Sequence, residues 1–83
     1  MKVITKTDTE LVMLVTAQEA RSAELMAEHV LLNGLEVLPY DEQHDNILLV
    51  AVKEGMNVRS AYQPLEEGKT LPQEIAELLK VAD

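Results

Sequence analysis

Reactive side chains in this chain crowd into one short stretch. PYDEQHDN, residues 39–46, gathers Asp41, Glu42, His44 and Asp45 in a protein with 2 histidines in all. An imidazole among carboxylates is a donor set for zinc or manganese, or an acid–base pair. A metal, however, needs roughly three or four donors fixed at about 2 Å. These donors are contiguous in a turn-forming sequence, and no HxxxH or HExxH spacing places them on a rigid element. The stretch is therefore expected to be a solvated connection, and neither a metal nor a cofactor is expected. The other histidine, His29, sits beside Glu28 in a helical pattern and would join His44 only if the fold brought the two together.

Nucleophilic chemistry is no better served. Ser22 and Ser60 have no neighbouring histidine, and neither stands in a GxSxG setting. Gly34, Gly55 and Gly68 are too dispersed for a phosphate loop. With no cysteine, thiolate catalysis, cysteine–zinc sites and disulfides are all excluded. The chain is expected not to be an enzyme. Arg59 with Tyr62 is the one remaining pair with chemical character, a candidate grip for an anion or a partner.

The whole-chain composition narrows the remaining classes. In 83 residues, 15 acidic side chains against 7 basic ones give a net charge of −8, and neither sign is clustered. Direct binding to a phosphate backbone needs grouped cations, so nucleic acid is not an expected ligand. Base stacking would have Tyr40 and Tyr62 alone to work with. No run approaches the ~20 apolar residues that span a bilayer, and MKVITKTDTE lacks a signal-peptide core. A single, soluble, cytoplasmic domain is expected, with one core built from aliphatic residues and methionine.

The elements that position these residues follow from periodicity. KVITK and ELVMLVT read as strands around TDT, whose short polar side chains suit a turn. In the second strand, Leu11, Met13 and Val15 share one face and Val12 and Leu14 the other, so both faces want cover. TAQE has capping-box spacing, Thr16 with Glu19, and predicts a helix from Ala17 to about Asn33, closed by Gly34. Ala20, Ala23, Ala27, Val30 and Leu31 form its stripe of small residues.

Leu25 and Leu32, two turns apart, fall on another face with His29. Either the buried stripe is wide, or the pair sits under the chain's own later loop, or these residues form a second ridge for a partner or a second copy.

LEVLPY reads as a strand whose Pro39 places it at an edge or at its end, residues 41–46 as a hairpin connection, and NILLVAV as a central strand. NVRSAYQ adds a short edge strand. TLPQEIAELLK repeats the capping box with Thr70 and Gln73, tolerates Pro72 in its first turn, and offers Ile75, Leu78, Leu79 and Ala82 as its apolar face.

The expected fold is α+β: a two-layer sandwich with a mostly antiparallel sheet of four to five strands, both helices on one face, and the order ββαββ(β)α. The strand–helix–strand unit from Leu11 to Val52 has the shape common to ferredoxin-like modules. The function expected of such a chain is noncatalytic. It is read as an inhibitor, adaptor or small subunit that binds another protein, self-associates as a homodimer, and makes contact through Leu25, His29 and Leu32, with Arg59 and Tyr62 as a second patch. The alternatives are a dimeric metabolite-sensing domain and an acidic nucleic-acid mimic that occupies a DNA- or RNA-binding protein.

Overall fold

The computed structural model describes residues 2–35 and 47–82. The strand expected at 35–40, apart from Leu35, and the connection expected at 41–46 lie outside the described residues. The chain is α+β in the order β1 (Lys2–Lys6), β2 (Glu10–Val15), α1 (Ala20–Asn33), β3 (Ile47–Glu54), β4 (Asn57–Pro64) and α2 (Leu71–Ala82). NVRSAYQ, expected as a short edge strand, is a strand of 8 residues at the edge of the sheet among the described residues.

The four described strands form one antiparallel sheet in sequential order, β1-β2-β3-β4. β2 and β3 are antiparallel neighbours, with Leu11 opposite Ala51 and Val15 opposite Ile47. The strand expected directly after α1, which would complete the ferredoxin-like unit, lies outside the described residues.

The opening turn closes as its residues dictate. Thr7 Oγ1 accepts the amides of Glu10 at 2.9 Å and Thr9 at 3.3 Å, while the Thr7 amide donates to the Glu10 carbonyl at 2.8 Å.

The layers correct an expectation, since the helices lie on opposite faces and not on one. Leu11, Met13, Val15, Ile47, Leu49 and Ala51 pack with Ala20, Ala23, Ala27, Val30 and Leu31 of α1. Val12, Leu48 and Val50 pack instead with Leu78, and with the half-buried Leu71, Ile75 and Leu79 of α2. The physical reason is the period of a strand: alternate residues of β2 and β3 point to opposite faces, and both sets are apolar. Two apolar faces need two covers, so a three-layer arrangement follows.

The reciprocal bonds of both capping-box pairs form, but Thr16 with Glu19 closes a turn ahead of α1, whose N-cap is Glu19 without a side-chain cap bond. The Glu19 amide donates to Thr16 Oγ1 at 3.2 Å, and the Thr16 amide donates to Glu19 Oε1 at 3.1 Å. Residues 17–19 form a turn, so the regular helix begins at Ala20, one turn later than expected. At the far end Gly34 is left-handed, φ 70°, and donates its N–H to the Val30 carbonyl at 2.9 Å. In α2 the Thr70 amide donates to Gln73 Oε1 at 3.1 Å, and the Gln73 amide to Thr70 Oγ1 at 3.4 Å.

Candidate functional site: the outer face of α1 and the β4 edge

The alanine stripe fixes which side chains of α1 look outward. With Ala20, Ala23, Ala27, Val30 and Leu31 buried against the sheet, positions 21, 25, 29 and 32 fall on the opposite side at 100° per residue. Leu25 is 62% exposed, His29 is exposed and Leu32 is half-buried. The structure thus brings together the three α1 residues singled out from sequence.

Asn33 Nδ2 and His29 Nδ1 are hydrogen-bonded at 3.4 Å, one helical turn apart. Arg21, Ser22, Glu24 and Leu25 border an open cleft on this side. Glu24 is engaged inward, where its Oε1 accepts from Ser60 Oγ at 3.3 Å and ties α1 to β4. Glu28 is left exposed beside Leu25 and Leu32. The face is therefore apolar along its centre and carries charge at its border.

Arg59 and Tyr62 do not form a joint patch. Tyr62 lies opposite Leu49 and Arg59 opposite Val52, so Tyr62 faces the α1 side of the sheet and Arg59 the α2 side. A separation of three residues in a strand reverses the face, and the two cannot grip one anion. Tyr62 is 43% exposed. The Arg59 guanidinium lies 3.6 Å from the Glu54 carboxylate in an exposed ion pair.

Sequence reasoning missed Glu74, which is buried at 2% exposure. Its Oε1 accepts the Glu66 amide at 2.7 Å, so it holds the segment after β4 against the start of α2. Nothing in the sequence distinguishes it from Glu66, Glu67 or Glu77. Lys69 reinforces the same junction, with Nζ 2.9 Å from Glu77 Oε2 and 3.2 Å from Glu66 Oε2. The hydrogen bond to Glu77, then the one to Glu66, raises the Lys69 ammonium above its ordinary pKa.

Asp41, Glu42, His44 and Asp45 lie outside the described residues. Among the described residues no group of three or more His, Asp or Glu side chains converges as metal ligands, and no helix is long and apolar enough to cross a membrane. Compared with protein-family models, curated proteins and solved structures, the chain matches none.

Proposed function

We propose that this chain is a noncatalytic interaction module of the cytoplasm, which docks the outer face of α1 onto another protein. The observation that carries this reading is Leu25, 62% exposed beside half-buried Leu32 and exposed His29, on a helix whose opposite stripe already fills the core. Such a ridge is read as an anchor row for a groove. The partner's chemistry follows from charge: against a chain of net −8, with Glu28 beside the ridge, the complementary surface is an apolar groove rimmed by lysine or arginine.

Installing a photo-crosslinking phenylalanine analogue at position 29, and separately at position 81 on α2, tests the proposal in the source cell. A discrete heterologous adduct from position 29 that position 81 does not give is the expected result. Equal adducts from both positions, or none from position 29, would sink it.

A further inference from the structure

We infer that the cleft at the start of α2 binds a short primary alkylammonium ion, whose charged end meets the Glu74 carboxylate. This goes beyond the α1 docking face and does not depend on it.

The cleft forms where the chain returns from the sheet to its second helix. It has a volume of about 280 Å³ and is bounded by Leu14 of β2, by Leu65, Glu66 and Lys69 of the segment that joins β4 to α2, and by Leu71 and Glu74 of α2. Leu14 stands two residues beyond Val12 and so belongs to the sheet face that α2 covers. Leu14 and Leu71 are half-buried and Leu65 is 38% exposed. The walls therefore keep apolar surface that the described chain does not cover.

Glu74 is the polar end of this opening. It is 2% exposed, and its Oε1 accepts the Glu66 amide at 2.7 Å. Among the described residues no donor is bonded to its Oε2, yet the buried side-chain atom left without a partner among them is Gln63 Nε2 and not this oxygen. Oε2 is therefore not sealed; the little of Glu74 that meets solvent includes it, at the wall of the cleft. A carboxylate has about four acceptor positions, and in so enclosed a place an unfilled one calls for a donor.

The surrounding charge selects that donor. Lys69 also borders the cleft, but its Nζ lies 2.9 Å from Glu77 Oε2 and 3.2 Å from Glu66 Oε2, so it balances those two side chains and is not bonded to Glu74. The carboxylate left without a counter-charge is the buried one. A cation answers it better than a neutral donor, because an unpaired charge is costly where water is excluded. A metal ion would need several oxygen ligands, and one oxygen among leucines cannot supply them. An anionic group finds no unengaged cation among the lining residues. A primary ammonium brings three N–H donors, and a short alkyl tail lies against Leu14, Leu65 and Leu71, in the manner of small-molecule sites that are apolar around one placed polar group.

Backbone amide NMR on the full chain, titrated with n-butylammonium chloride, tests the inference. Saturable shifts are expected at the amides of Leu14, Glu66, Leu71 and Glu74. n-Butanol, which lacks the charge, and tetramethylammonium, which lacks the N–H, should each bind about tenfold more weakly or worse, the loss of one charge-assisted hydrogen bond. Glu74→Gln keeps an acceptor for the Glu66 amide but removes the charge, and should weaken n-butylammonium to the same extent. Should that variant lose its folded spectrum, Leu65→Lys, at the exposed mouth of the cleft, serves in its place with the same expectation.

The absence of any saturable shift with n-butylammonium would overturn the inference. So would equal binding of tetramethylammonium, shifts confined to other surfaces, or undiminished binding by the folded variant. Leu25→Asp should leave n-butylammonium binding unchanged; its loss in that variant would place the ligand on α1 and refute the cleft.

Discussion

Truncating Leu78 to alanine tests the three-layer arrangement most sharply. Leu78 is 3% exposed and joins α2 to Val12, Leu48 and Val50, whereas Leu25 on α1 is 62% exposed. Leu→Ala removes three carbons, and at ~0.8 kcal/mol for each buried group the transfer loss is about 2.4 kcal/mol. Incomplete collapse of the cavity brings the cost to about 3 kcal/mol, within the range measured for buried leucines. A domain of this length has roughly 4 to 12 kcal/mol of stability in total, so the loss is a large fraction of it. Urea unfolding followed by circular dichroism reads it out as a fall in midpoint with little change in slope. Leu25→Ala should change stability by about 0.5 kcal/mol or less, and Leu78→Met, which conserves volume, should cost under about 1.5 kcal/mol. Equal effects for Leu78→Ala and Leu25→Ala would refute the placement of α2 against the second face.

Thr16→Ala removes the reciprocal bonds with Glu19 and should cost about 1 kcal/mol, measured as a lowered thermal midpoint; an unchanged midpoint would show that the capping box contributes nothing. Glu74→Gln exchanges a charged acceptor for a neutral one at the Glu66 amide, and the bond it weakens is of a class worth ~1.5 to 3 kcal/mol. Faster hydrogen exchange at Glu66 and a lower unfolding midpoint are expected, and unaltered exchange would contradict the assignment. Lys69 has a raised pKa in the folded chain, through Glu77 first and Glu66 second, so its contribution is fully present below the ordinary value of 10.5 and fades as pH climbs through the raised one. The stability gap between wild type and Lys69→Met should therefore stay level below pH 10.5 and narrow above it; a gap that widens there would reverse the sign.

Local signals in the sequence were good guides where one residue type has one conformational use. Thr70 with Gln73, the polar Thr7–Thr9 turn and Gly34 each mark a boundary through a bond or a backbone angle, and each does so in the structure, whereas Thr16 with Glu19 makes its bonds in the turn that precedes α1. The helix stripe was legible for the same reason, since alanines at helical spacing have no other use than close packing. What did not follow was the face that α2 covers. Its amphipathic pattern says that one side is buried, but not against which surface. The decisive signal lay elsewhere, in the two apolar faces of Leu11–Val15 and Ile47–Ala51, which one helical layer cannot cover. Arg59 and Tyr62 look adjacent in sequence, yet the strand period of two sends them to opposite faces. Glu74 was invisible because its burial depends on where the segment after Pro64 returns, a tertiary fact with no local mark. On the candidate site, the grouping of Leu25, His29 and Leu32 on one helical face was legible from the 100° spacing alone.

The central claim, that this chain acts by docking the outer face of α1 on a basic partner, is tested most directly by quantitative affinity capture from the source cell. Wild type is compared with Leu25→Asp and with Val81→Asp, an equal charge change at a 75% exposed position on α2. The account predicts a protein with a basic surface that wild type and Val81→Asp both retain, that Leu25→Asp loses, and that rising salt weakens. Identical retention by all three chains would contradict it.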